Sequence, residues 1–453
     1  MFTNRMPRYD ALAPESLDLI DGAWKHLVAN VGVEFHDDEA LELFRRAGQR
    51  VEGQLVRLDP DFVLEQLARA PRTFTWRARN PERSVRFGPD EMVFTTVQST
   101  PFVREGAVRR AAALDDYERF LKLTQVVPEL HSAGYPATDP TDIDIDTRHL
   151  QLLLRLYTLQ DKPMGCAQMT PEGAADSVAM AEIAFGGRAA IEESPVIYGI
   201  ANANSPLRFD ERMTGTMRIL AGANQITVIT PFILMGAMGP VSIPAAIAQN
   251  AAEAFAGMAL CQLVRPGAPV IMGSFVSHSD MRSGSPGFGG PASWFGLLAT
   301  GQIARRHGLL WRGGGGGLTS SLVPDAQAAY ESFNTMMPSF LAGANLQLHN
   351  CGWLESGLTA GYEKFVVDLE ILRMLIEQFT PLEVTPDRLA LDDFAVGRDD
   401  GHFFGTPYTM EHFRDAFYQP LLSTSDNVDR WTRLGMPVPT TRPQSSHRCH
   451  GLV

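Results

Sequence analysis

Most residues that could do chemistry in this sequence are aromatic side chains and amides, and few of them carry charge. They follow short apolar runs along the chain: Tyr135, Gln168, Asn202, Asn204, Phe232, Phe275, Trp311, His349, Asn350, Trp353 and Glu355. The set holds no pair of carboxylates for acid–base work, and the sequence contains neither an H-E-x-x-H nor a G-x-S-x-G motif. An aromatic pocket with one carboxylate suits a cation that cannot donate hydrogen bonds, such as a quaternary ammonium ion.

A run of five glycines, 313–317, follows Trp311 and Arg312 and precedes a predicted helix. A phosphate-binding loop needs a lysine after the last glycine, whereas Leu318 and Thr319 stand there. A flexible linker needs polar surroundings, but apolar residues precede this run and a capped helix follows it. The run therefore predicts a backbone wall without side chains inside a packed domain.

The elements that position these residues alternate between strand and helix. Thr170 and Pro171 can begin one helix, which Gly186 and Gly187 can end. Eight strand–helix units match a (β/α)8 TIM barrel, whose chemistry sits at the carboxyl ends of the strands. A doubly wound open sheet is the alternative, but it does not by itself favour eight units. The eight apolar runs are 92–97, 130–136, 164–169, 195–201, 225–232, 269–275, 309–314 and 346–350.

The sequence divides into three parts around this barrel. Residues 1–90 carry apolar stripes at helical spacing and predict a helical cap or oligomerisation element. Residues 91–380 contain the eight units and predict the catalytic barrel. Residues 381–453 form a C-terminal extension, and its last stretch, "PTTRPQSSHRCHGLV", is typical of an unstructured tail.

Composition limits the partners and the compartment. The formal net charge of -13 disfavours nucleic acid and anionic membrane surfaces. The sequence has no apolar signal region and no eighteen-residue apolar stretch. Its four cysteines lack C-x-x-C spacing, so we expect a reducing cytoplasm and no metal site. A zinc site built from Cys166, Cys351 and His349 is the less favoured alternative.

Three longer motifs resemble a known family. "RGGGGGLTSSLVPDAQAAYE", "AGANLQLHNCGWLESGLT" and "YEKFVVDLEIL" are similar to sequences of the trimethylamine methyltransferase family. The resemblance implies a (β/α)8 barrel that takes a methyl group from an amine and passes it to a corrinoid protein. Trimethylamine-specific members carry a pyrrolysine after the glycine-rich strand, whereas this sequence has Leu318 there, and Leu322 replaces a lysine that members often carry. The resemblance is therefore to the branch without pyrrolysine, for which glycine betaine and related betaines are the implied substrates.

The resemblance also implies how the site works. The corrinoid comes from the partner protein, and this chain binds no cofactor tightly. A quaternary nitrogen already carries positive charge, so attack on its methyl carbon expels a neutral amine and needs no general acid. We expect Gly315 to lie where the substrate methyl and the corrin face meet. We expect Glu355 and His349 to be catalytic, and we expect substrate binding by Gln168, Phe232, Phe275, Trp311, Gly315, Leu318, Asn350 and Trp353.

Each assignment has a structural alternative. Trp311 and Trp353 could equally be core aromatics. His349 could be a hydrogen-bonded histidine at a barrel end, and Glu355 could cap the following turn. For the whole chain, the alternative is a barrel that binds a quaternary amine without turnover, as a sensor or accessory subunit.

The resemblance carries two expectations about assembly. We expect a homo-oligomer, either a dimer or a multiple of dimers. Relatives continue for several dozen residues beyond "SSHRCHGLV", so a truncation or an altered reading frame is an alternative for this C-terminus, and it could affect assembly.

Overall fold

The computed structural model describes residues 1–435, and at its centre is a ring of eight parallel segments. Seven of them are strands that pair in chain order, and the last pairs back to the first. Segment 130–134 completes the ring, because Ser132 bridges to Thr95 and Gly134 bridges to Met164. The predicted (β/α)8 barrel is therefore confirmed, and each predicted apolar run supplies one position. The seven strands are Glu91–Phe94, Met164–Gly165, Ile197–Ala203, Ile226–Met235, Val270–Gly273, Trp311–Gly313 and Leu346–Gln347.

One main helix follows each barrel position and covers the ring. Thr170 begins its helix as predicted, because its hydroxyl accepts a hydrogen bond from the Gly173 N–H at 3.0 Å. Gly186 ends that helix in the left-handed conformation, which glycine adopts without strain. The main helices are Leu114–Val126, Arg148–Leu159, Pro171–Phe185, Glu211–Gly222, Ile243–Val264, Pro291–Arg306, Ala326–Ala342 and Tyr362–Gln378, and a short helix, Arg188–Glu193, lies between the third and fourth.

Residues 1–90 contain three helices, which agrees with the predicted helical character, and also short strands that were not predicted. One hairpin, Phe74–Trp76 with Val85–Phe87, lies at the amino-terminal end of the barrel. Its Trp76 ring packs edge-on against Tyr198 at 5.1 Å, and both rings are buried with barrel-interior side chains. The hairpin therefore closes this end of the barrel. The helices are Pro14–His26, Asp38–Arg46 and Pro60–Arg69, with helical turns Leu27–Val31 and Pro81–Arg83, and the remaining strands are Phe2–Thr3, Val33–Phe35, Arg50–Glu52 and Leu55–Arg57.

The other elements extend the carboxyl-terminal face or follow the barrel. No helix within residues 1–435 has the length and apolar character needed to cross a membrane. The predicted unstructured stretch, 439–453, lies outside the described residues. The additional strands are Phe102–Glu105, Val108–Ala111, Arg208–Phe209, Phe275–Ser279, Pro286–Gly287, Trp353–Leu354 and Thr359–Gly361, with a helical turn Glu355–Gly357 and helices Asp393–Asp400, Pro407–His412 and Val428–Arg433.

Candidate active site

A cavity of about 320 Å³ opens at the carboxyl-terminal ends of the barrel strands. This is the end at which TIM-barrel enzymes hold their substrates, and the volume suits a small molecule. None of the lining residues is acidic. The lining consists of Gln98, Ser99, Tyr135, Met169, Ile200, Asn202, Met213, Thr230, Phe232, Phe275, Arg312, His349 and Trp353.

One side of the cavity is a continuous wall of aromatic rings. Phe232 and Phe275 face each other on adjacent strands with ring centroids 4.5 Å apart. Phe288 lies behind them, 5.1 Å from Phe275 and 5.9 Å from Trp353. The wall ends where His349 stacks on Trp353 at 4.4 Å. Aromatic faces attract a positively charged ligand, and the attraction is strongest away from water.

Arg312 lines the cavity, and the residue is only 4% exposed. One of its terminal nitrogens donates to the Ser274 carbonyl at 3.2 Å, while its Nε has no hydrogen-bond partner. Burial lowers the pKa of Arg312 to about 10, so the group is still charged at neutral pH. A buried cation without a carboxylate partner is costly, and a ligand carboxylate would offset that cost.

Further unpaired polar atoms surround the same cavity. They are the Gln98 Oε1, the Thr230 hydroxyl, the His349 Nδ1 and the Trp353 Nε1. The Gln98 amide is held in place by its own Nε2, which donates to the Thr95 hydroxyl at 3.0 Å and to the Tyr198 hydroxyl at 2.9 Å. Buried polar groups are nearly always paired, so this concentration indicates a binding site for a polar ligand.

His349 lines the cavity as a neutral imidazole. Burial, and then the charge of Arg312, hold the pKa of His349 well below its usual value of 6.5.

The neighbouring Asn350 is fully buried, and its amide donates to the carbonyls of Thr95 and Gln347 at 3.0 and 2.6 Å. Asn350 therefore holds the loop in position and does not line the cavity.

Trp311 lies outside the cavity, contrary to its predicted place in a cage. Neighbouring strand residues point to opposite sides, so Trp311 faces outward when Arg312 faces inward. The Trp311 indole N–H donates to the Ser274 hydroxyl at 2.9 Å, and its ring packs over Gly301 of a covering helix. Trp311 is thus a core residue, which was the structural alternative.

Glu355 and Gln168 also lie outside the lining. The Glu355 carboxylate pairs with Arg109 at 2.7 Å and accepts a hydrogen bond from the Thr359 hydroxyl. Burial raises the pKa of Glu355, but the bonds from Thr359 and Arg109 outweigh it and lower the pKa. Glu355 therefore connects the strands Val108–Ala111 and Thr359–Gly361 as a paired carboxylate. Gln168 is half-buried.

The glycine run is a backbone wall, as predicted, but its missing side chains do not face the cavity. A Cβ on Gly315 would lie 2.6 Å from the Ser339 hydroxyl, on the helix behind the strand. A Cβ on Gly316 would lie 2.6 Å from the His349 carbonyl oxygen. Leu318 is buried behind the aromatic wall, where it packs with Phe275. Close packing of neighbouring backbone, rather than access to a ligand, explains the glycines.

Four polar residues that line the cavity were not predicted from the sequence: Gln98, Ser99, Thr230 and Arg312. Each lies within or directly after an apolar run, in "TTVQST", "QITVITPF" and "LLWRGG". A polar side chain inside an otherwise apolar barrel strand was the available signal, because such strands are normally buried on both faces.

No group of three or more His, Cys, Asp and Glu side chains within residues 1–435 is arranged to hold a metal ion. Cys166 and Cys351 are buried, and burial raises the pKa of both thiols. Buried thiols of this kind are inert.

Comparison with known proteins confirms the family resemblance. The family model for trimethylamine methyltransferase (MTTB) matches residues 1–448. Glycine betaine methyltransferase of Desulfitobacterium hafniense (strain Y51) is 39% identical over 430 residues, which are 94% of this chain and 89% of that protein. Proline betaine:corrinoid methyltransferase of Eubacterium limosum is 29% identical over 83% of this chain and 79% of that protein.

A solved structure supports the same fold. Monomethylamine methyltransferase of Methanosarcina barkeri matches 88% of this chain and 81% of its own chain, with a TM-score of 0.57 and 8% identity. The chain thus belongs to the trimethylamine methyltransferase family of enzymes, which transfer one-carbon groups.

Proposed function

We propose that this enzyme transfers a methyl group from a small betaine, such as glycine betaine, to the corrinoid of a partner protein. A betaine carries a quaternary ammonium group and a carboxylate in one molecule. The relatives named for glycine betaine and proline betaine support this class of substrate. The cavity contains an arginine that could bind the carboxylate and aromatic rings that could bind the ammonium group.

The observation that carries the proposal is the buried Arg312 in a cavity whose lining includes no acidic residue. A guanidinium binds a carboxylate through two parallel hydrogen bonds, and such charge-assisted bonds are strong in a dry site. The unpaired Nε of Arg312 and the nearby Thr230 hydroxyl are available donors. Trimethylamine has no carboxylate, and its protonated form would be repelled by Arg312.

The onium group of the betaine is assigned to the aromatic wall. Phe232, Phe275 and Trp353 present ring surface to the cavity, and a cation at an aromatic face gains about 0.5 to 2 kcal/mol. The Gln98 Oε1 and the neutral His349 ring can face the polarised methyl groups. These residues would hold one methyl group in line for transfer and exclude water from it.

The cavity volume is compatible with a reaction in which this chain binds the amine and a partner protein carries the corrinoid. A space of about 320 Å³ holds a small amine but not a corrin ring, so a corrinoid presented at the open mouth is compatible with this geometry. The corrinoid would supply a Co(I) nucleophile. The departing nitrogen leaves as a neutral tertiary amine, so the site needs no proton donor, in keeping with the neutral state of His349.

A ligand series tests the proposal. Binding of glycine betaine, proline betaine, carnitine, choline and trimethylamine is measured by calorimetry, and methyl transfer is followed through the cob(I)alamin spectrum. We expect the carboxylate-bearing onium compounds to bind and to methylate cobalt. Equal binding of choline and glycine betaine would refute the role given to Arg312. Tight betaine binding without any methyl transfer would support the alternative of a sensor or accessory subunit.

Two further expectations belong with this proposal. The buried free thiols Cys166, Cys261 and Cys351 suit the reducing cytoplasm that we infer for the enzyme. We also infer a homo-oligomer.

A further inference from the structure

An ion pair between Lys364 and Asp368 is completely buried and does not line the cavity. Both residues belong to the motif "YEKFVVDLEIL", and no step of the proposed reaction uses them. They stand four residues apart on helix Tyr362–Gln378, so their side chains lie on the same face of that helix. The Lys364 ammonium donates to the Asp368 carboxylate at 2.6 Å and to the Ser332 hydroxyl, on the neighbouring covering helix, at 2.8 Å.

The pair also bonds to the two backbone segments that meet beside the cavity. Lys364 donates to the carbonyl of Gly317, the last residue of the glycine run, at 3.0 Å. Asp368 accepts from the Gly352 N–H at 2.8 Å, in the loop that follows the last barrel strand. A Cβ on Gly317 would lie 2.6 Å from the Asp368 carboxyl carbon, so the backbone itself packs against the pair. One ion pair therefore holds the glycine run and this loop together.

The loop carries two rings of the cavity, and their positions depend on its backbone. Within residues 1–435, the His349 Nδ1 and the Trp353 Nε1 have no hydrogen-bond partner. His349 has a φ of 58°, in the left-handed region that residues other than glycine rarely adopt. Such a conformation persists only where the surroundings fix it. Here the Gly317 N–H donates to the His349 carbonyl at 2.7 Å, so the bond from Lys364 to Gly317 supports it.

Stability alone is a weak reason for an ion pair at this position. Burial raises the pKa of Asp368 to about 6 against the attraction of Lys364, so the carboxylate is charged at neutral pH. Taking two charges out of water is unfavourable, and apolar residues of similar volume are often at least as stable. Apolar side chains cannot make directional hydrogen bonds to two backbone segments, whereas this pair does.

We infer that Lys364 and Asp368 are positioning residues for methyl transfer, which act by fixing the loop that carries His349 and Trp353. These two rings lie where the onium group is placed, so the kinetic part of this inference rests on the proposed function. A displacement of about 1 Å at a reacting group can lower a rate on the order of a hundredfold.

The carboxylate end of the cavity should be less sensitive to the pair. Arg312 belongs to strand Trp311–Gly313, which pairs with Val270–Gly273 on one side and with Leu346–Gln347 on the other. Those ladders hold Arg312 without help from the pair. Loss of the pair should therefore leave glycine betaine bound but poorly aligned, so the rate should fall more than the affinity.

Methyl transfer from glycine betaine to cob(I)alamin, measured with the full chain, tests the inference. Asp368→Asn keeps the shape of the side chain and leaves the Lys364 charge unpaired, whereas Lys364→Met/Asp368→Leu removes both charges. The matched control is Asp21→Asn, because Asp21 is a buried carboxylate on helix Pro14–His26 that accepts from the Trp24 indole N–H at 2.9 Å. Urea unfolding and the calorimetric affinity for glycine betaine are measured for each protein.

A second measurement needs no turnover. The His349 ring is stacked on the Trp353 ring with their planes 4° apart, so the ring current of the indole shifts the NMR signals of the His349 ring protons. Histidine-labelled protein contains eleven such rings, and His349→Gln identifies the signals to follow. We expect these signals to move toward those of free histidine in both pair variants and to keep their positions in Asp21→Asn.

We expect kcat to fall at least tenfold in both pair variants, while the Kd of glycine betaine changes less than threefold. The double variant should be more stable than Asp368→Asn, because no buried charge is left unpaired, and its kcat should still be low. That combination separates positioning from stability, and the double variant alone gives the comparison if Asp368→Asn does not fold.

Two results would overturn the inference. One is a folded pair variant whose kcat equals that of Asp21→Asn, and the other is a pair variant whose His349 signals do not move. An unchanged protein that transfers no methyl group would instead refute the proposed function, and the His349 signals would then decide the role of the pair.

Discussion

Replacing Arg312 with methionine should abolish the proposed preference of the cavity for carboxylate-bearing ligands. Methionine keeps much of the side-chain length and removes the charge. Arg312 is 4% exposed and its Nε is unpaired, so a bound carboxylate would pair with a nearly dry guanidinium. Removing one partner of a buried charge pair costs about 2 to 5 kcal/mol, which corresponds to a roughly 30-fold to several-thousand-fold weaker affinity for glycine betaine.

Choline provides the internal control, because it shares the trimethylammonium group and lacks the carboxylate. Loss of a nearby positive charge should leave choline affinity unchanged or increase it. The variant should also be at least as stable as the unchanged protein, because a buried unpaired charge is unfavourable. Arg305→Met serves as the matched variant, since Arg305 lies on a covering helix and donates to the Ala342 carbonyl at 2.6 Å.

Calorimetric titration of both ligands into the three proteins measures the effect. The decisive quantity is the ratio of glycine betaine affinity to choline affinity. A folded Arg312→Met variant whose ratio changes less than threefold would refute the assignment of the carboxylate to Arg312. Equal losses for both ligands would point instead to a collapsed cavity.

Three further predictions concern stability. Gly316→Ala should destabilise the fold by about 3 kcal/mol or more in urea unfolding, because its Cβ would lie 2.6 Å from the His349 carbonyl oxygen, whereas Gly22→Ala, in open space on a helix, should stabilise by roughly 0.5 to 1 kcal/mol. Lys162→Met should cost about 2 to 4 kcal/mol on the same assay, because the buried ammonium donates to three backbone carbonyls. Burial holds the pKa of His131 and His349 well below 6.5, so their contribution to stability is present above pH 6.5 and is lost as pH falls, by up to about 1.4 kcal/mol per histidine for each pH unit. Urea midpoints that do not change between pH 7 and 5.5 would contradict this last prediction.

The barrel could be predicted from the sequence because it depends on the number and spacing of apolar runs. Eight runs separated by helical stretches leave few alternative architectures, and errors of a few residues at each boundary do not change the count. The hairpin at the amino-terminal end was missed because its strands, Phe74–Trp76 and Val85–Phe87, have three residues each. A three-residue strand gives no clear alternation of apolar and polar positions.

The site was harder to predict, because it depends on which way each side chain points. The strand-end rule found Phe232, Phe275 and Trp353, and all three line the cavity. The same rule selected Trp311 instead of Arg312. In a strand of three residues, Trp311–Gly313, the sequence does not indicate which side chains point into the barrel. A shift of one residue moves every side chain of a strand to the opposite face. The prediction was one residue out here, so it placed the core residue Trp311 in the site where Arg312 lies.

The hairpin that fills the amino-terminal end of the barrel has a consequence for the kinetics. With Trp76 packed against Tyr198 beneath the cavity, the mouth is the way in for the amine and the way out for its product. A corrinoid protein docked at that mouth would cover it. In the proposed reaction the amine must therefore bind first, and the demethylated product leaves only after the methylated partner has dissociated. If the proposed reaction takes place at this mouth, the fold would set the order of binding and release, and we expect excess corrinoid protein to inhibit turnover by trapping the product.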